Sequence, residues 1–324
     1  MKKNIPIAKV NLTENDILSV LEPLRNGWLV QGPKVKEFED SFAKFTGSKY
    51  SIAVTSCTSA LHLSLSALNI GIGDEVIIPA FTWVSTANVV EQLGAKVIFC
   101  DIDLNTFNLD VNQIEGKITK KTKAIIPVHL FGLSANIIKI NEIAKKYNLF
   151  IVEDAACGFG SMYNGQHVGS FGNTGCFSFH PRKAISTGEG GMINTNSEKL
   201  DTKLRIMRDH GAIKSDLQRH KGEKPFLLSD HILPGQNQRM TDIQASLGVE
   251  QMKRGRKIIE ERRNIADIYN KGLSKVSFLK TPSSPKNYYH SYQSYPCIFE
   301  PEKINSVNLE AINKKRNEFM DKLQ

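Results

Sequence analysis

The sequence predicts an α/β protein built on a mostly parallel sheet with helices on both faces. Between residues 50 and about 195, short β-rich runs alternate with amphipathic helical stretches. The runs are almost continuously apolar, as expected for strands covered on both faces. No internal repeat or low-complexity segment interrupts the alternation, and no apolar run is long enough to cross a bilayer.

Six strands are expected in order: "SIAVTS" (51–56), "EVIIPA" (75–80), "KVIFCD" (96–101), "AIIPVH" (124–129), "FIVEDA" (150–155) and "GCFSFH" (175–180). Amphipathic helices lie between several of them, including "SALHLSLSALNI" (59–70) and "NIIKINEIAKKYN" (136–148). From about 241 one long charged helix is expected, running through "TDIQASLGVEQMKRGRKIIEERRNIADIYNKGL". It bridges into a region rich in Tyr, Ser and Pro, and the chain ends on "KKRNEFMDKLQ", which reads as the middle of a helix. The expected organisation is a large domain over 1–250, with an N-terminal arm, and a smaller α+β C-terminal domain begun by 251–324.

Bulk properties narrow the class. The chain has 324 residues, 40% hydrophobic and 23% charged, the profile of a water-soluble globular protein. The opening "MKKNIPIAKVNLTEND" has two lysines but no apolar stretch behind them, so a secretory signal is not expected and a cytoplasmic location is. The five cysteines (57, 100, 157, 176 and 297) include no C-x-x-C pair, which argues against a zinc site or a disulfide framework. The 42 basic against 33 acidic residues leave a net charge of +9. The basic residues are dispersed, and the densest groups, "KITKKTK" (117–123) and "KRGRK" (253–257), lack interleaved aromatics. They read as solvated faces, so neither a nucleic-acid nor a membrane partner is expected.

In open α/β sheets ligands collect at the carboxyl ends of the strands, and four such ends carry chemistry here. "VTSCTSALHL" places Thr58 and Ser59 where a helix begins, which suits a phosphate; a plain N-cap is the ordinary alternative. "PAFTWVSTAN" places Trp83 just past a strand, able to stack on a flat ring or to fill a core or an interface. "FIVEDAA" ends in Glu153 and Asp154, and side-chain alternation lets only one of them meet a given ligand. "CFSFHPRKAISTGEGGM" carries Ser178, a lone Lys183 and the glycines 188, 190 and 191. Singly, each segment has a structural explanation. Together they supply what pyridoxal 5'-phosphate (PLP) requires: an amine for its aldehyde, an acid for its pyridinium nitrogen, donors for its phosphate and an aromatic for its ring. His129, His167, His180 and His210 show no metal-ligand spacing. Structural packing is expected for them, with contact to cofactor or substrate the alternative for His180.

These residues resemble the DegT/DnrJ/EryC1/StrS sugar aminotransferases, which are PLP enzymes of fold type I. The resemblance rests on "GWLVQGPKVKEFEDSFAKFTGSKYSIAVTSCTSALHL", "GDEVIIPAFTWVSTANVV", "PVHLFG", "VEDAACGFGSMYNGQHVGSFG", "FSFHPRKAISTGEGGMI" and "PGQNQRMTDIQASLG", in family order from about 5 to 255. It implies that Lys183 is the Schiff-base lysine and proton shuttle, that Asp154 pairs with the pyridine nitrogen, and that Trp83 stacks on the ring. Thr58, Ser59 and Ser178 would hold the phosphate, and Asn237 would reach the phosphate of a neighbouring subunit in a homodimer. Two positions depart from the family pattern. Cys57 stands where Gly is common, and Cys157 where Gln or His often faces the ring oxygen.

The activity implied is transamination through the PLP and pyridoxamine phosphate forms, from glutamate to a nucleotide-linked keto-sugar, in amino-sugar or surface-polysaccharide biosynthesis. The family's sugar 3-dehydratases carry His in place of the lysine, which Lys183 argues against. Two alternatives stay open: another fold type I chemistry, or a catalytically impaired PLP-binding relative. Family members continue past the final helix, so a shortened C-terminal domain is expected, with 265–324 lacking strand partners.

Overall fold

The computed structural model describes residues 9–214, 229–300 and 308–323. Among them nine strands build the body of the molecule: β1 Tyr50–Val54, β2 Glu75–Pro79, β3 Lys96–Cys100, β4 Thr122–Ile125, β5 Phe150–Asp154, β6 Met162–Tyr163, β7 Gln166–His167, β8 Thr174–Ser178 and β9 Gly191–Thr195. Seven of them form one sheet in the order β1-β9-β8-β5-β4-β2-β3. Strands β3, β2, β4, β5 and β8 pair in parallel, while β9 runs antiparallel to both β8 and β1. All six expected strands are present. β9 was not among them.

The sheet is covered on both faces, as the apolar strands require. On one face the helix Cys57–Ala67 packs Ala60, Leu61 and Leu65 against Val54, Ile78, Val152 and Ile193. On the other, the helix Pro33–Thr46 lays Phe38 and Phe42 on Ala53, Phe177 and Met192, and the helix Ile137–Tyr147 lays Ile140 and Ile143 on Ile77, Ile125 and Ile151. Neighbours such as Ile151 and Val152 therefore serve opposite layers, the period-two pattern of a strand. Phe42 is fully buried, and truncating such a side chain to Ala costs about 3–5 kcal/mol.

Two expectations about the C-terminal third need correction. The long helix breaks into Asp242–Met252 and Gly255–Leu273. Arg254 leaves helical geometry (φ −113°, ψ 9°), and its guanidinium pairs with the buried Asp16 carboxylate. Gly255 lies so close to Phe159 that an added Cβ would sit 3.0 Å from its ring. The tail also has strand partners. β11 (Tyr288–Tyr289) pairs with β6, and β10 (Leu279–Lys280) pairs with β12 (Ile298–Phe299). Ring contact between Tyr163 and Tyr288 at 4.3 Å and the Ser161–Ser291 hydroxyl bond at 2.8 Å fasten β11 to the body. The last helix, Leu309–Leu323, falls where expected. No helix among the described residues is long and apolar enough to cross a membrane.

Candidate active site

β5 delivers two buried acids at its carboxyl end, and the pleat sends them to opposite sides. Glu153 is enclosed by the backbone that follows it. Its Oε1 accepts from the amides of Phe171 (2.8 Å) and Gly172 (2.7 Å). Its Oε2 accepts from the Gly169 amide (2.7 Å) and meets His129 Nε2 at 2.9 Å. The Ala135 amide donates to His129 Nδ1 (3.1 Å), so the ring proton sits on Nε2 and points at Glu153. This acid is a structural anchor.

Asp154 has thinner support. Its Oδ1 accepts from the Ala156 amide (3.1 Å) and its Oδ2 from the Thr86 hydroxyl (2.9 Å). Only 5% of the residue is exposed, and no cation among the described residues lies within ion-pair distance. Burial pushes the carboxyl above its ordinary value; the Ala156 amide, the Thr86 hydroxyl and the nearby Lys183 charge pull the other way without cancelling it.

Lys183 rides on the loop joining β8 to β9. Both ends of that loop are pinned by backbone bonds, from the Phe179 amide to the Gly190 carbonyl (2.9 Å) and from the Thr187 amide to the Phe179 carbonyl (3.0 Å). The amine is 3.3 Å from Cys157 Sγ, and no carboxylate among the described residues pairs with it. Its charge acts on Asp154 and on Cys57. The Cys57 thiol is pushed well up, first by burial and then by the Asp154 charge. The structure therefore places Lys183 against Cys157 and near enough to Asp154 and Cys57 for its charge to act on both.

The phosphate end is built where the helix Cys57–Ala67 begins. The N-cap is Ser56, whose Oγ accepts from the Ser59 amide (3.0 Å), so neither Thr58 nor Ser59 is the cap. The Ser59 hydroxyl bonds Thr55 Oγ1 (2.9 Å) and Ser56 Oγ (3.0 Å), and the Thr58 hydroxyl donates to Ser85 Oγ (3.0 Å). A helix start leaves the Cys57 and Thr58 amides without acceptors inside the helix, an arrangement that suits an anion. Gly191 pairs with Ser178 across β8 and β9, and a Cβ on it would strike the Ser56–Cys57 backbone at 2.4–2.7 Å. The missing side chain lets the start of β9 lie against the helix start, with Ser178 beside it on β8, its hydroxyl accepting from the His180 amide (3.4 Å).

The remaining candidates lie at the rim. Trp83 follows β2 and is 75% exposed, which excludes the core alternative. Asn237 has an exposed side chain, and its backbone bridges to Asp209. The next residue, Gln238, accepts from the Thr55 amide (3.1 Å), which sets this segment beside the end of β1. His180 Nδ1 accepts from the Arg182 amide (3.3 Å). His167 is held neutral between Val168 and Gly160, its pKa pushed down to about 4 by burial. Sequence reasoning missed Ser56 and Thr86. A serine directly before the helix, with another serine three residues on, was the available signal for Ser56. Nothing local marks Thr86, whose partner is 68 residues away.

These residues fit PLP on the structure's own terms. A buried acid with no cation and an amine with no carboxylate among the described residues lie with a glycine-cleared helix start at the carboxyl ends of the strands. Fold and site define a PLP-dependent enzyme of fold type I. The chain belongs to the DegT/DnrJ/EryC1/StrS aminotransferase family, whose sequence model matches residues 10–320. It is thereby an enzyme of the PLP-dependent sugar aminotransferase class. It is 37% identical to the spore coat polysaccharide biosynthesis protein SpsC of Bacillus subtilis, covering 97% of this chain and 81% of that one. Spr1654 of Streptococcus pneumoniae, solved in its PLP form, superposes with a TM-score of 0.88 at 31% identity, over 99% of this chain and 83% of the other. The GDP-4-keto-6-deoxy-D-mannose-3-dehydratase of E. coli, solved with hydrated PLP, gives a TM-score of 0.83 at 30% identity, over 91% and 79%.

Proposed function

We propose that the chain moves an amino group from glutamate, or a similar donor, to a nucleotide-linked keto-sugar, within amino-sugar or surface-polysaccharide biosynthesis. The observation that carries this is Lys183: an amine, not an imidazole, beside the buried Asp154. PLP, when bound, supplies a protonated ring that stabilises negative charge at the carbon losing its proton. Lys183 Nζ anchors the cofactor, then removes the proton from the donor's α-carbon and returns one on the other side of the exchange. Asp154 holds the proton on the ring nitrogen. Thr58, Ser59, Ser178 and the amides of 57–58 hold the phosphate, Trp83 stacks on the ring, and Cys157 lies against it. Asn237 serves the phosphate of a second copy, so the working form is a homodimer, and we place it in the cytoplasm. We read 1–250 as the PLP-binding domain and 251–324 as part of the smaller one.

The sugar assignment is supported by the SpsC likeness and by the likeness to a dehydratase of a GDP-linked keto-sugar. The test is to load the enzyme with PLP, add glutamate, and follow absorbance through conversion to the pyridoxamine form. A panel of nucleotide keto-sugars is then offered and products are identified by mass. An aminated sugar is expected. Turnover confined to amino acids would replace this reading with a different fold type I chemistry, and cofactor binding without any transfer would mark an impaired relative.

A further inference from the structure

Thr86 lies in the first turn of the helix Ser85–Gln92 and is completely buried. Its hydroxyl is 2.9 Å from Asp154 Oδ2 and 3.0 Å from Thr82 Oγ1. Proton bookkeeping fixes the direction of this chain. An ionised carboxylate only accepts, so the Thr86 proton points at Asp154. The Thr86 oxygen is then free to accept, and the Thr82 proton fills it. The relay runs Thr82 to Thr86 to Asp154. Complete burial and a partner on each side hold the hydroxyl where it stands. With the Ala156 amide on Oδ1 and Thr86 on Oδ2, each oxygen has one donor, which restrains rotation of the carboxylate. Thr82 also directly precedes Trp83, so one short turn supplies both the ring-stacking side chain and the support of the ring-binding acid.

We propose that Thr86 is a positioning residue for the transamination: oriented by Thr82, it aims the Asp154 carboxylate at the cofactor's ring nitrogen. The inference rests on the role of Asp154 given above. Its effect is specific to a cofactor that carries that nitrogen.

The full-length apoenzyme is titrated with PLP and with 1-deaza-PLP, which has carbon in place of the ring nitrogen, and the two dissociation constants are compared by fluorescence. The wild type is expected to prefer PLP. Thr86→Val should shrink that preference by about tenfold, the scale of one hydrogen bond to a charged group, while binding of the deaza analogue stays nearly constant. Thr86→Ser, which keeps the hydroxyl, should restore the preference. Equal weakening of both ligands by Thr86→Val would mean a merely structural role and overturn the proposal. No preference in the wild type would instead sink the role of Asp154 itself. Should Thr86→Val fail to fold, Thr82→Val decides: a smaller loss of preference supports the relay, and an unchanged preference overturns it.

Discussion

Glu153 and Asp154 are consecutive residues on one strand, yet they belong to two different regions of the molecule. Behind β5, Glu153 meets three backbone amides and a histidine N–H, each oxygen doubly served. At the carboxyl end of the strand, Asp154 has one amide and one hydroxyl, and burial raises its pKa. The first acid is satisfied by the fold alone. The second is left short of positive charge in a dry setting, which is unfavourable unless a ligand supplies it. Two buried carboxylates on one strand thus differ in their donors, and that difference supports reading one as scaffold and the other as site.

The largest effect should come from removing the amine that shares the under-served region. Lys183→Ala is expected to abolish turnover and the near-ultraviolet and visible absorbance of the loaded enzyme; full retained activity would break the assignment of that region. Glu153→Gln should act on the fold. An amide places an NH2 against donors, leaving two of them unmet, and the unfolding free energy should fall by about 3 kcal/mol. A change near zero in denaturant melts would erase the contrast between the acids.

Asp154→Asn should have the opposite sign. A carboxyl whose folded pKa is raised binds its proton more tightly folded than unfolded. Its contribution to stability is therefore present at low pH and lost as pH rises through the raised value. At neutral pH the charged form opposes folding, so the apoprotein with Asn should melt higher than the wild type while binding PLP more weakly. The pH-dependent part of that gap should close as pH falls below the ordinary carboxylate value of 3.8. A lower melting point at neutral pH would put Asp154 with Glu153 as scaffold. The smallest effect belongs to His167, on the scaffold side. Its pKa is depressed from 6.5 to about 4, so its contribution is full above 6.5 and lost as pH falls toward 4. His167→Gln should flatten apoprotein stability in that window, by about 1 kcal/mol near pH 5.5. An unaltered slope would assign the acid sensitivity elsewhere.

The sequence makes the parallel strands legible because each is a compact apolar run; Asp154 and Ser178 are legible because they end such runs, and Lys183 because it stands alone on the loop that follows one. β9 is hidden because Gly-Met-Ile-Asn-Thr offers only two large apolar residues behind a glycine turn. Alternation says that one of the two acids faces a ligand. It does not say which, because the donors that claim Glu153 come from 129 and 169–172, brought in by the fold. The break before Gly255 has a similar origin. Arg254 leaves helical geometry there and pairs with Asp16, while Phe159 lies against Gly255; both partners are remote in sequence, so nothing local announces the break.

The hairpin that carries Lys183 also constrains how this protein can change. Because Ser178 faces Gly191 in a fixed ladder, deleting one residue from β9 would reverse which side every following side chain points to and would drag the loop by about 3.3 Å. Insertions within 180–189 would instead leave the ladder intact and relocate only the amine. Drift in length at this hairpin should therefore be tolerated by the scaffold long before it is tolerated by the chemistry, leaving well-folded descendants that have fallen silent.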